Sequence, residues 1–86
     1  MHELSLALEV CRLAEQAAGP DRAEQVVTVT LVVGDDAGVE VNNLEFCLEA
    51  LLKEPPFRAA RPVINRSAGD ELRLEYVEVD DGSPDD

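Results

Sequence analysis

Residues 25–33 read QVVTVTLVV. Side chains branched at Cβ lose rotamer freedom against a helical turn and pack well on a pleated surface, so this run is a β-strand. Successive side chains of a strand point to opposite faces. Val27, Val29, Leu31 and Val33 fall on one face, and Val26, Thr28, Thr30 and Val32 on the other. Both faces are fairly apolar, which suggests a central or well-covered strand. The chain has only 86 residues to provide that cover. A domain of this size buries roughly 60–65% of the surface its unfolded form exposes, so its core is thin. Aromatics are 3% of the residues (Phe46, Phe57, Tyr76), which leaves Leu, Val and Ala to build that core.

The segments around the strand show where the cover comes from. Leu4 to Ala18 reads as a helix: Leu4, Ala7, Leu8, Cys11, Ala14 and Ala18 recur at spacings of three and four, with Leu6, Val10, Leu13 and Ala17 beside them. Gly19-Pro20 stops it. After a loop at residues 34–38, Leu44, Cys47, Leu48 and Leu51 mark a second helix. Asn42 or Asn43 is its expected N-cap, and Asn42 with Glu45 fits a capping box. Pro55-Pro56 follows its end. Residues 59–65 suit a short strand, and Pro62 places that strand at an edge. Glu71 to Val79 alternates apolar and charged residues, as a strand with one solvated face does, with a slip at Tyr76-Val77 that suits a bulge.

The order is therefore α-β-α-β-β. The expected fold is α/β of the two-layer α+β kind, with both helices on one face of a three-stranded mixed sheet. The β-α-β part is expected to be a right-handed crossover with parallel strands. The last two strands are expected to pair as an antiparallel hairpin. One domain is expected over residues 1–79, with an acidic disordered tail at 80–86.

Charge narrows the function classes. Nineteen acids against seven bases give a formal net charge of -12. No Lys/Arg cluster exists to follow a phosphate backbone or an anionic membrane, so neither nucleic acid nor membrane is an expected partner. A metal cation or a cationic partner matches better. No GxxxxGK[ST] or GxGxxG motif occurs, and the only histidine stands second in the chain, so neither nucleotide cradling nor a catalytic triad is expected. We expect no enzyme. Cys11 and Cys47 form no CxxC pair and fall in apolar helical patterns, as small buried hydrophobes do. Without a disulfide framework, a signal peptide or an apolar run of bilayer length, the cytoplasm is the default compartment.

The opening MHELSLALEV holds the one grouping with distinctive chemistry. The α-amine of Met1, the amide nitrogen of His2 and its imidazole can chelate one ion. The Glu3 amide nitrogen or a partner protein can fill a fourth position. The Glu3 carboxylate is a weaker, harder donor. A planar set of nitrogen ligands suits Ni(II) or Cu(II). The amine, with an ordinary pKa of roughly 7.7–8.0, deprotonates readily under a bound cation. The residues alone leave a second reading open, in which His2 is a solvated side chain at a helix start.

The whole chain resembles the hydrogenase/urease nickel-incorporation protein A family (HypA/HybF). MHELSLALEV is similar to that family's MHE-x-SL start, TVTLVVGDDAGVEVNNLEFCLEALLKEPPF to its first strand, following loop and second helix, and GDELRLEYVEVDDG to its last strand. The resemblance implies a nickel metallochaperone of [NiFe]-hydrogenase maturation. It carries Ni(II) as transient cargo on Met1, His2 and Glu3. It delivers that cargo, with a HypB-like GTPase, to the hydrogenase large-subunit precursor. The family normally inserts a zinc domain with two CxxC pairs between its last two strands. Val63 to Glu71 runs across that place without cysteine, so no zinc is expected here. An alternative is an interaction or regulatory module that binds a hydrogenase precursor or maturation partner without carrying metal. A ligating terminus requires that Met1 be retained, as expected when a residue as large as histidine stands second. Intact-mass measurement of the purified protein should show the full initiator methionine. Its loss would remove the amine ligand of Met1.

Overall fold

The computed structural model describes residues 2–80. It contains helix α1 (Glu3–Ala18), a 3-10 turn (Ala23–Gln25), strand β1 (Val26–Gly34), helix α2 (Val41–Leu51), and strands β2 (Arg61–Ser67) and β3 (Leu72–Val79). The expected α-β-α-β-β order and two-layer α+β architecture hold. The short 3-10 turn is an addition. The proposed acidic tail lies, beyond Asp80, outside the described residues.

β1 is the middle strand of the sheet, in the order β2-β1-β3. It pairs parallel with β2, from Thr28 opposite Arg61 to Gly34 opposite Ser67. It pairs antiparallel with β3, from Val26 opposite Val79 to Val33 opposite Leu72. The expected hairpin between the last two strands is therefore wrong: β2 and β3 flank β1 and do not touch each other as a ladder. The reason lies in β1 itself. Its backbone N–H and C=O groups are buried with its side chains, and buried backbone groups must be paired. A β2–β3 hairpin would leave one edge of this apolar strand without a partner.

That topology makes the β2–β3 connection cross the end of β1. The Asp35 N–H donates to the Ser67 carbonyl at 2.8 Å, the Asp36 N–H to the Gly69 carbonyl at 2.7 Å, and the Gly34 N–H to the Glu71 carbonyl at 2.7 Å. Gly69 turns the crossing at φ 94°, a left-handed value that glycine adopts without strain. Gly34 is required for a different reason: a Cβ there would overlap the Gly69 carbonyl oxygen and come within 2.7 Å of its carbon.

Two bulges adjust which side chains reach the core. Val26 and Thr28 oppose the consecutive residues Val79 and Glu78, so Val27 is an extra residue in β1. Val27 is consequently 41% exposed, while Val26 is buried. The expected facing of Val27 with Val29, Leu31 and Val33 thus fails at its first member. In β3, Leu74 and Tyr76 oppose Leu31 and Thr30, which makes Glu75 the extra residue, one place before the slip read from the sequence.

The core lies between β1 and the helices. Ala7, Val10 and Ala14 of α1 meet Val26, Val29, Leu31 and Val33 of β1, with Leu44 and Leu48 of α2, then Leu52, Phe57 and Ala60. Alanines at the centre of α1 let its backbone sit close to the sheet. Ile64, Leu72, Leu74, Val77 and Val79 extend the core across the outer strands. Replacing Gly34 with alanine should force the crossing segment away from β1. Denaturant unfolding should report a loss of about 1–3 kcal/mol, the usual range for overpacking. An unchanged midpoint would mean the crossing is loosely held.

Candidate metal centre

The start of α1 lies beside the start of α2. β1 and β2 are parallel, and both helices pack back across the same sheet, so the two helices run side by side in the same direction. Their N-termini are joined by side chains. The Glu3 carboxylate accepts the backbone N–H of Glu40 at 3.2 Å on one oxygen and the Asn43 Nδ2–H at 3.1 Å on the other. These contacts hold its pKa below the usual carboxylate range, the Glu40 N–H contributing most, Asn43 next, and the amide of Glu3 itself less. Glu40 in turn accepts the Asn42 N–H at 3.1 Å and is the N-cap of α2. The expected Asn42–Glu45 capping box does not form. Helix α2 begins earlier, at Val41, and Asn43 is turned to Glu3 instead.

His2 is the N-cap residue of α1, with extended backbone angles (φ -85°, ψ 109°) and no side-chain capping bond. Its carbonyl accepts the Leu6 N–H at 3.1 Å, the first turn of the helix. Its side chain is exposed. The first N–H groups of a helix have no acceptor within the helix. The amides of His2 and Glu3 are at those positions, so a metal that displaces their protons breaks no helical hydrogen bond. Met1 lies outside the described residues. Of the three expected ligands, the structure thus brings His2 and Glu3 to one place and leaves Met1 undescribed. The Glu3 carboxylate is already occupied by α2 and by the amide of its own residue. No three His, Cys, Asp or Glu side chains converge among the described residues.

Both cysteines are free and half-buried at the margin of the core, not inside it as the apolar pattern suggested. Cys11 lines a groove with Leu8, Leu51 and Phe57. Desolvation there pushes its thiol up to about 11. No helix among the described residues is long and apolar enough to cross a membrane.

Residues 1–72 match the family model described as hydrogenase/urease nickel incorporation, metallochaperone, hypA. The chain belongs to the HypA family. It is 41% identical over 69 residues to the hydrogenase maturation factor HypA of Geobacter metallireducens, which covers 80% of this chain and 60% of that protein. It is 41% identical over 79 residues to the HypA of Azotobacter chroococcum, covering 92% of this chain and 59% of that one. The chain thus spans about 60% of the length of the curated relatives it matches. Its fold superposes on the solution structure of the Ni metallochaperone HypA from Helicobacter pylori with a TM-score of 0.75, over 92% of this chain and 97% of that one, at 16% identity. The HypA family is thus named for metal incorporation and maturation, not for a catalysed reaction.

The Glu3–Asn43 bridge is the feature that sequence reading missed. Its partners stand 40 positions apart, and no local spacing signals it. The Cys11 environment gives a direct test. At pH 8, alkylation of Cys11 should be at least roughly tenfold slower in the folded than in the unfolded protein, because the thiolate is the reactive form. Its folded pKa lies above the unfolded value near 9, so the group favours folding below pH 9 and that contribution fades as pH rises toward 11. Equal rates in both states would show that Cys11 is freely solvated.

Proposed function

We propose that the chain is a nickel carrier of hydrogenase maturation that binds Ni(II) through its amino terminus. The ligands are the Met1 amine and the His2 amide and imidazole nitrogens, with the fourth position filled by water or a partner protein. The observation that carries this reading is the state of His2: an exposed imidazole on an extended N-cap residue, next to amides that the helix leaves unpaired. Membership of the HypA family supports nickel as the ion.

In this reading each group has one task. The amine and the His2 amide release their protons to solvent as the ion binds and become strong in-plane donors. The imidazole closes a chelate from the same residue. These three nitrogens fill three corners of the planar set that suits Ni(II), and the fourth corner, opposite the His2 amide, is left for a ligand from outside the chain. Delivery goes to the hydrogenase large-subunit precursor with a HypB-like GTPase, in the cytoplasm. The two cysteines stand singly on α1 and α2 and form no CxxC pair.

The test is calorimetric titration of tag-free protein with nickel, with visible absorption followed in parallel. One equivalent bound with a planar d–d spectrum is expected. Both should be lost in His2→Ala and in a protein extended at its amino terminus. Neither change should shift stability by more than about 0.5 kcal/mol, because both lie at an exposed terminus. Binding indifferent to both changes would instead leave a HypA-family domain that acts by contact alone.

A further inference from the structure

The contact between the two helix starts has a consequence for metal capture. The first residues of a helix fray unless something holds them, because their N–H groups lack helical acceptors. In this chain the holder is α2. Its first turn grips both oxygens of the Glu3 carboxylate, through the Glu40 backbone N–H at 3.2 Å and the Asn43 side chain at 3.1 Å. The Glu40 N–H is fixed by the fold, while the Asn43 amide is a choice of side chain.

We propose that Asn43 is a positioning residue for nickel capture: by holding the Glu3 carboxylate against α2, it sets the neighbouring His2 amide and imidazole nitrogens in place for the ion. The role rests on the amino-terminal nickel site proposed above. Asn43 touches no metal. It acts by ordering the donors before the ion arrives, so less conformational freedom is lost on binding. The same geometry assigns the Glu3 carboxylate to anchoring. To ligate the ion it would have to leave both donors, including the Glu40 N–H at the start of α2.

The two roles for Glu3 give opposite signs. If the carboxylate is an anchor, removing Asn43 weakens nickel binding. If it is a ligand waiting to be released, removing Asn43 strengthens binding. Asn43→Ala also raises the helix propensity of α2. Asn42→Ala, on the same exposed turn and without a bond to Glu3, gives the same gain and is the reference.

Nickel titrations of the unaltered chain, Asn42→Ala, Asn43→Ala and Asn43→Gln should be run beside thermal melts. We expect Asn43→Ala to bind roughly three- to tenfold more weakly than Asn42→Ala, the range of one lost hydrogen bond. Stoichiometry and d–d spectrum should stay unchanged, because the ligands are the same. Asn43→Gln, which keeps an amide donor, should recover most of the affinity. Equal or tighter binding by Asn43→Ala overturns the role, as does an Asn43→Gln protein as weak as Asn43→Ala. If the unaltered chain takes up no nickel, the site itself fails, and this role fails with it. If the unaltered chain binds normally and Asn43→Ala matches Asn42→Ala, only the positioning role is lost.

Discussion

Everything in this small fold depends on β1 being surrounded. Its side chains are apolar toward both faces, and its backbone is enclosed by them. One face needs a helical layer, and each edge needs a strand. Among the described residues, each of the two helices and two outer strands is used for that cover. The chain order then follows from geometry. The stretch before β1 can only supply a helix lying back over it. The stretch after it supplies a second helix and a parallel neighbour. The last segment must pass over the end of β1 to reach its free edge. Gly34 marks that passage, because only a residue without Cβ lets the crossing backbone come close enough to bond.

Parallel pairing of β1 with β2 has a second effect, at the functional end. It sends α2 in the same direction as α1 and puts their N-termini side by side. A residue at the very start of the chain can then be held by one from the middle. Glu3 and Asn43 meet for this reason, and the His2 backbone is placed beside them. The scaffold thus gives a chain terminus, usually the least ordered part of a domain, a fixed neighbour.

What could be read from the sequence and what could not divide along the range of the interactions. The helices over residues 4–18 and 44–51 and the strand at 25–33 were legible because periodicity is local. So was the edge position of β2, from Pro62. The amino-terminal site at Met1, His2 and Glu3 could be proposed from the sequence because its residues are consecutive, and it stays a proposal, with Met1 outside the described residues. Most of the errors involve pairing across the chain. The hairpin between the last two strands was inferred from their closeness in sequence, and the demand of β1 for two partners outweighed it. Asn42 and Asn43 look like caps because their type favours that position. A glutamate at 40 took the cap, and the Glu3 carboxylate claimed Asn43. Val27 left the core because a bulge, which depends on register with β3, shifted the alternation by one.

The proposed binding mode also has to satisfy the field at the start of α1. A helix N-terminus carries a partial positive charge, which repels a divalent cation. The Glu3 and Glu40 carboxylates at the two helix starts offset part of that charge, while the rest of the net charge of -12 is screened beyond about 8–10 Å at ordinary salt. A deprotonated amide eases the conflict. When the His2 amide nitrogen gives up its proton, the donor becomes an anion, and anions are what a helix start stabilises. The lost amide proton offsets half of the 2+ charge of the ion, and the terminal amine, where protonated, gives up its own. Capture in this mode is coupled to proton release, so affinity rises steeply with pH and falls when a receiving site returns protons to the backbone. A terminus on a helix start therefore both favours the loaded, deprotonated form and gives it a route to unload. The Glu3 carboxylate, held by α2, keeps that exchange at the backbone and out of the side chain.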